Sequence, residues 1–183
     1  MGKIYIVRHG QSEDNANSIF AGHNDTSLTQ AGRQQSLEVA EKLKTNNIDV
    51  IYSSPLKRTT ETAEIISKAL GKEFSIDNDL IERNFGVLTG KPESEIEKYS
   101  SKILETERVR YFIEADGAEE FPNLYYRAKQ LLEKIKAKHP NENVLLVTHG
   151  DIGKMLNAVS IGLSWEEGLQ TPYFANAEIV ELS

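Results

Sequence analysis

The sequence predicts an α/β fold: a three-layer α/β/α sandwich with a mainly parallel central sheet, helices on both faces and a small helical insertion as a lid. Segments typical of strands alternate along the chain with amphipathic helical segments. Residues 4–7 and 144–147 are apolar throughout, as expected of parallel strands that are covered on both faces. Each of these strands is closely followed by a histidine and a glycine, so two histidines are expected at one edge of the sheet.

The first elements follow from apolar runs and capping residues. Residues 4–7 (IYIV) predict the first strand. A helix is predicted to begin at Thr29, because a threonine hydroxyl caps a first turn, and to end at residues 46–47, which are both asparagine. Residues 50–52 (VIY) are β-branched or aromatic and predict the second strand.

The second strand leads directly into another predicted helix. Ser54 is expected to cap this helix and Pro55 to occupy its first position, which is the usual asymmetry of a helix start. Arg58 then lies in the first turn. Gly71 is a natural stop for the helix, and residues 74–76 predict the third strand.

Residues 86–117 interrupt this alternation of strands and helices. Ile96, Tyr99 and Ile103 recur there at helical spacing in a highly charged stretch. We therefore expect a small helical insertion that covers the carboxyl ends of the strands as a lid and bears on substrate specificity.

The last part of the chain returns to the alternating pattern. A helix is expected between Pro122, which opens it, and Pro140, which closes it. Residues 144–147 (VLLV) predict a further buried strand, followed by a helix from Asp151 onward. Residues 178–182 predict an edge strand.

Composition bounds the class of protein. The 183 residues contain no repeat or linker and indicate a single domain over residues 1–183. The chain has no cysteine, which excludes disulfides, thiolate metal sites and a cysteine nucleophile. A formal net charge of −7 argues against a nucleic-acid or anionic-membrane partner. No apolar run is long enough to cross a bilayer, and we expect a cytoplasmic protein that is a monomer or homodimer.

Four nitrogen-bearing side chains are expected to meet at the sheet edge. His9 and His149 follow buried strands, Arg8 adjoins His9, and Arg58 follows another strand end. Such a cluster is unfavourable unless it holds an anion, and phosphate matches guanidinium geometry well. Nearby arginines also lower the pKa of an imidazole, which keeps a ring nitrogen of His9 unprotonated and nucleophilic. The residues therefore predict a small phosphate ester as substrate and His9 as the group that attacks phosphorus.

Longer motifs surround these side chains. The Arg-His-Gly tripeptide lies within VRHGQSEDN at residues 7–15. Four further motifs follow in order: LTQAG at 28–32, YSSPLKRT at 52–59, LIERNFG at 80–86 and VTHG at 147–150. In sequence, order and spacing this set resembles the histidine phosphatase superfamily, in its phosphoglycerate mutase-like branch (branch 1). The resemblance covers most of the chain and implies the phosphoglycerate mutase-like fold.

The resemblance implies a metal-independent phosphomonoester hydrolase that acts on a small phosphorylated metabolite. In that family the histidine matched by His9 becomes phosphorylated. The resemblance gives Arg8, Arg58 and His149 the task of holding the phosphoryl oxygens and stabilising the transition state. Asn15 matches a residue that helps to hold the phosphate.

Further roles follow only from the resemblance. Glu82 matches the proton donor, which protonates the leaving alkoxide and then, as a carboxylate, activates the water that hydrolyses phosphohistidine. A lid raises the pKa of Glu82 and the arginines lower it, and the sequence leaves the balance open. Gly22, His23 and Gly150 match positions that contact substrate or phosphate, although His23 stands where relatives carry an aromatic residue.

Three other functions share these residues. A phosphoglycerate mutase passes the phosphoryl group to a second hydroxyl of the substrate instead of to water. A phospho-ligand binding module holds the phosphate without turnover. A metal hydrolase would use His9, His149 and either Glu82 or Asp151, but Arg8 and Arg58 beside a dication are unfavourable. We therefore expect neither a metal nor another cofactor.

Overall fold

A computed structural model describes residues 2–183 of the chain. Within these residues the chain forms seven strands and seven α-helices. The strands are β1 (Ile4–Arg8), β2 (Val50–Ser53), β3 (Phe74–Ile76), β4 (Ser100–Glu105), β5 (Arg110–Ala115), β6 (Val144–Thr148) and β7 (Ile179–Leu182). The helices are α1 (Glu13–Ala16), α2 (Gln30–Leu43), α3 (Lys57–Leu70), α4 (Ile96–Tyr99), α5 (Phe121–Lys138), α6 (Gly150–Ser160) and α7 (Trp165–Gln170).

Five strands form the central sheet in the order β3-β2-β6-β1-β7. β3, β2, β6 and β1 are parallel, and β7 runs antiparallel along β1 at the edge. The predicted mainly parallel sheet with a C-terminal edge strand is therefore confirmed. β1 and β6 are neighbours in register, with Arg8 opposite Thr148, so the two histidines that follow them lie side by side.

Side-chain alternation along β1 and β6 produces two apolar layers. Ile4 and Ile6 face a core built with α5 and α6, whereas Tyr5 and Val7 face a core built with α2 and α3. Successive strand residues point to opposite faces, so a strand without polar residues requires helices on both sides. The three-layer α/β/α arrangement is thus confirmed.

The helix boundaries confirm most of the capping predictions. The Thr29 hydroxyl accepts a hydrogen bond from the Gly32 N–H (3.0 Å) and caps α2 as expected. α2 ends at Leu43, before the predicted stop at 46–47, and a turn through left-handed Asn47 leads to β2. α5 has proline in its first turn, and its C-terminal cap is His139, directly before Pro140.

The predicted start of α3 at Ser54 and Pro55 is wrong. The Ser54 N–H donates to the Val147 carbonyl (3.1 Å), so the chain still follows the sheet at this residue. The helix begins at Lys57, whose N–H donates to the Asp25 carboxylate (2.6 Å). A distant acidic side chain therefore satisfies the helix end that we assigned to Ser54.

The insertion over residues 86–117 is only partly helical. It contains two single 3-10 turns and α4, but then β4 and β5 pair as an antiparallel hairpin, and Ile103 lies in β4. The expected helix through Ile103 is therefore wrong. The β5 side chains Tyr111 and Phe112 are buried, and such an aromatic, β-branched run favours a strand.

Within residues 2–183, none of the helices combines the length and the apolar character that spanning a bilayer requires.

Candidate active site

The two histidines predicted at the sheet edge lie together. His9 follows β1 and His149 follows β6, and their ring centroids are 5.2 Å apart. The His9 N–H donates to the Thr148 carbonyl (3.0 Å), which extends the pairing of the two strands into the site. Both side chains are buried. The carboxyl ends of adjacent parallel strands therefore fix the relative position of the two imidazoles.

Arg58, in the first turn of α3, lies between the two imidazoles. Its Nε–H is shared between His9 Nε2 and His149 Nδ1, each at 3.2 Å. Its Nη1 donates to the Asn24 carbonyl (2.6 Å) and its Nη2 to the Gly22 carbonyl (2.8 Å). These bonds fix the guanidinium, and both rings face it through an unprotonated nitrogen.

The remaining ring nitrogens define the tautomers. His9 Nδ1 donates to the Gly10 carbonyl (2.7 Å), and His149 Nε2 donates to the Ser54 hydroxyl (2.7 Å). Since Arg58 is a donor only, His9 carries its proton on Nδ1 and presents the lone pair of Nε2. Ser54, which does not cap α3, therefore orients His149.

Burial and positive charge keep both rings neutral. Burial, followed by the charges of Arg58 and Arg8, holds the pKa of His9 well below its usual range. The pKa of His149 is also well below its usual range, because of burial and then the charge of Arg58. Burial lowers the pKa of Arg58 to about 10, which leaves it charged at neutral pH. The expected effect of the arginines on His9 is confirmed, although burial contributes more.

Glu82 is buried in the same site. Its carboxyl oxygens accept hydrogen bonds from the backbone N–H groups of Arg83 (2.9 Å), Ile152 (3.2 Å) and Asp151 (3.3 Å). Burial and then the charge of Asp151 raise the pKa of Glu82, while the N–H groups of Arg83 and Ile152 and the charge of Arg58 lower it less. The balance that the sequence left open therefore falls on the side of a raised pKa.

Arg8 lies at the end of β1 and points into the same space. Its Nη1 donates to the Tyr173 hydroxyl (2.7 Å) and to the Phe174 carbonyl (2.6 Å). Its Nε is buried and has no hydrogen-bond partner among residues 2–183. A buried donor without a partner is costly, and an anion at this position would satisfy it.

Of the other predicted site residues, Asn15, Gly22 and Gly150 line the cavity and His23 does not. Asn15 lines the cavity, and its Oδ1 accepts from the Asn176 amide (3.1 Å). Gly22 lines the cavity and anchors Arg58, and Gly150 lies between Arg8 and Glu82. His23 is exposed, and its Nε2 hydrogen-bonds the Glu82 carbonyl (2.8 Å), so it braces the backbone of Glu82.

Arg8, His9, Arg58 and Glu82 line a cavity of about 370 Å³, whereas His149 is buried behind Arg58 and does not line it. Its floor is formed by the strand ends, and its far wall includes Val109, Tyr111 and Phe112 of the hairpin segment. The volume lies within the range of small-molecule sites. The insertion therefore covers the site, as expected of a lid, although it does so with a hairpin.

The match with known proteins agrees with this geometry. A model of the histidine phosphatase superfamily (branch 1) matches residues 4–183. The chain belongs to this superfamily. It is an enzyme of the histidine phosphatase, phosphoglycerate mutase-like class.

Several relatives of this histidine phosphatase carry descriptive names. It is 40% identical to Phosphoglycerate mutase-like protein 4 of Arabidopsis thaliana over 84% of this chain and 69% of the relative. It is 35% identical to Phosphoserine phosphatase 1 of Hydrogenobacter thermophilus over 81% of this chain and 71% of the relative. The structure of Entamoeba histolytica phosphoserine phosphatase with 3-phosphoglyceric acid superposes with a TM-score of 0.83 at 27% identity, covering 99% and 90% of the two chains.

The loop between α7 and β7 of this histidine phosphatase also belongs to the site, although no sequence motif predicted it. Tyr173 and Phe174 hold Arg8, and the Asn176 amide donates to the His9 carbonyl (3.0 Å). The Lys154 ammonium of α6 donates to the Thr171 carbonyl (2.6 Å) and anchors the loop. These residues lie far from the Arg-His-Gly motif in sequence, and no spacing pattern marks them.

The geometry also opposes the metal hydrolase alternative. Arg58 Nε donates a hydrogen bond to the ring nitrogens of His9 and His149 that would coordinate a metal. A guanidinium at this distance also repels a dication. The donor set suits an oxyanion, which accepts hydrogen bonds from guanidinium groups.

Proposed function

We propose that this histidine phosphatase hydrolyses small phosphomonoesters without a metal, through a phosphohistidine at His9 Nε2. One observation carries the proposal: an unprotonated His9 Nε2 beside Arg58 shares a cavity with a carboxyl group, Glu82, whose pKa is raised. A nucleophile and a proton donor that share an anion site are the two groups that ester cleavage requires.

In the first step His9 Nε2 attacks phosphorus. A bond forms between nitrogen and phosphorus, the ester bond between phosphorus and oxygen breaks, and the Glu82 proton passes to the leaving oxygen. Arg58 moves its Nε–H bond from the rings to a phosphoryl oxygen, and Arg8 Nε gains a phosphoryl oxygen as partner. Arginines aimed at the transferring group stabilise its charge in the transition state.

In the second step Glu82, now a carboxylate, removes a proton from water. The water oxygen attacks phosphorus, the bond between phosphorus and His9 breaks, and inorganic phosphate leaves. Glu82 is then protonated again and His9 neutral, so the cycle closes without a cofactor.

The relatives support a small phosphorylated substrate. One is named a phosphoserine phosphatase, and a related structure holds 3-phosphoglyceric acid. A cavity of about 370 Å³ suits a metabolite of this size. We further propose that the chain works as one domain in the cytoplasm, as a monomer or homodimer. Analytical ultracentrifugation measures the oligomeric state.

The test is phosphate release from a panel of phosphomonoesters that includes phosphoserine and 3-phosphoglycerate, with excess chelator. His9→Ala is compared with His139→Ala, a matched control whose ring contacts Tyr52 and Glu142 away from the cavity. We expect release that survives the chelator and falls at least about a hundredfold in His9→Ala only, as for an essential nucleophile.

Other outcomes overturn the proposal in distinct ways. Loss of activity with chelator would indicate a metal hydrolase. Conversion of 3-phosphoglycerate to its 2-phospho isomer without phosphate release would indicate a mutase. Tight phosphate binding with neither reaction would indicate a binding module.

A further inference from the structure

A largely buried ion pair lies beside Glu82, and both of its residues line the same cavity. Arg83 Nε donates to Asp151 Oδ2 (2.7 Å), and the two side chains are 1% and 12% exposed. Neither side chain has a role in the two chemical steps. Burying an ion pair rarely stabilises a fold relative to an apolar alternative, so stability alone does not explain this pair.

The two paired residues are also backbone donors to Glu82. The Arg83 N–H donates to one carboxyl oxygen (2.9 Å) and the Asp151 N–H to the other (3.3 Å). Arg83 follows Glu82 in the chain, whereas Asp151 belongs to α6 and comes from a distant part of the sequence. The ion pair therefore connects the two backbone groups that grip the two oxygens.

The Arg83 guanidinium is held on its faces by aromatic rings. Its Cζ lies 3.8 Å from the ring centre of Phe112, 4.0 Å from that of Phe121 and 5.2 Å from that of Phe85. Its Nη1 is buried and has no hydrogen-bond partner within residues 2–183. The rings leave the guanidinium little freedom, so Asp151 and the start of α6 are held against a rigid partner.

We propose that Arg83 and Asp151 are positioning residues that fix the direction of the Glu82 carboxyl group and set its readiness to donate a proton. The proposal rests on the proposed role of Glu82 as proton donor. It assigns the pair to the step that releases the alcohol and not to phosphate binding.

Charged and titratable groups face Glu82 from each element around it. They are Arg8 and His9 at the end of β1, Arg58 of α3, Tyr111 of β5, and Asp151 and Lys154 of α6. Asp151 raises the pKa of Glu82, and Arg83 offsets part of that negative charge. Removing Asp151 should therefore lower the pKa of Glu82, and removing Arg83 should raise it.

The experiment measures kcat/KM against pH for an alkyl phosphate and for p-nitrophenyl phosphate. The variants are Asp151→Asn, Arg83→Met and Arg83→Lys, with Glu82→Gln as the reference for loss of the proton donor. Arg33→Met is the matched control, because Arg33 forms an ion pair with Glu61 (2.7 Å) and neither residue lines the cavity. kcat/KM reports formation of phosphohistidine, the step that needs the donor.

We expect kcat/KM for the alkyl ester to fall about tenfold in Asp151→Asn and Arg83→Met and that for the aryl ester about twofold or less, since nitrophenolate leaves without a proton. The alkaline limb for the alkyl ester should move to lower pH in Asp151→Asn and to higher pH in Arg83→Met. Arg83→Lys should restore part of the alkyl activity, and Arg33→Met should change the kcat/KM of neither substrate.

Equal losses of kcat/KM on both substrates would overturn the positioning role of the pair. So would alkaline limbs that do not shift in opposite directions in Asp151→Asn and Arg83→Met. If Arg83→Met does not fold, Asp151→Asn decides, because an asparagine still accepts a hydrogen bond from Arg83. Glu82→Gln separates this failure from that of the proposed function: if it affects both esters equally, Glu82 is not the donor. If it affects only the alkyl ester and Asp151→Asn does not, only the positioning role fails.

Discussion

Gly86 marks the point where the segment that carries Glu82 turns into the insertion. Its φ is 54°, and an added Cβ would lie 2.1 Å from the Asp116 carbonyl oxygen. An alanine in this left-handed conformation costs about 1 to 2 kcal/mol. Relieving the clash separates the Val87 N–H from the Asp116 carbonyl, now 2.9 Å apart, and removes about 1 kcal/mol more.

The expected loss for Gly86→Ala is therefore about 3 kcal/mol at the transition temperature. With an unfolding entropy of ~2.1 cal/mol/K per residue, a chain of 183 residues should lose about 8 °C in Tm. Differential scanning calorimetry measures this change. kcat/KM should fall as well, because the neighbouring Phe85 lines the cavity.

Gly71→Ala is the matched control. Gly71 also has a positive φ (64°), but an added Cβ there meets nothing within 4 Å. Only the conformational cost of about 2 kcal/mol applies, so we expect a loss of about 5 °C with unchanged activity. Equal losses of Tm at the two glycines would refute the argument, because they would show that the insertion yields freely around Gly86.

Three further predictions concern the site itself. Gly150→Ala places a methyl group 3.6 Å from Arg8 Cζ and 3.7 Å from Glu82 Oε2 without a clash; KM should rise about tenfold at unchanged Tm, and an unchanged KM would place the phosphate elsewhere. Asn176→Ala removes the donor to the His9 carbonyl and to Asn15, so kcat/KM for p-nitrophenyl phosphate should fall about tenfold. Arg58→Gln removes a positive charge beside His9 and thereby raises its pKa, so the acidic limb of kcat/KM should move to higher pH; a fixed limb would contradict this.

The sequence predicted those parts of the site that sheet topology places together. His9 and His149 each follow a fully apolar strand, and parallel strands with that pattern end at one edge. Arg58 follows another strand end, so its approach to the imidazoles also came from topology. Such predictions work because strand direction, and not side-chain detail, decides where these residues lie.

Residues that act through long-range contacts could not be predicted in this way. Tyr173 and Asn176 reach Arg8 and His9 from a loop that only the packing of α6, α7 and β7 places. Arg83 and Asp151 read as ordinary charged residues in the sequence. Their pairing depends on burial among aromatic rings, which a local pattern does not encode.

The prediction of a helix through Ile103 of the insertion was wrong for a different reason. Ile96, Tyr99 and Ile103 fit a helical period, but only the first two belong to α4. The aromatic and β-branched run around Tyr111 supplies a partner strand, and pairing with it overrides the local spacing. Short apolar runs leave helix and strand close in energy, so a tertiary partner decides between them.

Burial produces both reactive states of the proposed site. Removal from water disfavours the charged form of any titratable group. For His9 the neutral form is the nucleophile, and for Glu82 the neutral form is the proton donor, so burial shifts the pKa of each group towards the form that the proposed reaction uses. Two nearby charges act in the same sense as burial, since Arg58 disfavours a protonated His9 and Asp151 disfavours an ionised Glu82, whereas Arg58 lowers the pKa of Glu82 by less than Asp151 raises it. A phosphate ester that enters between them meets a nucleophile and a donor prepared before it binds, which is why the charges behind these two residues matter as much as the residues themselves.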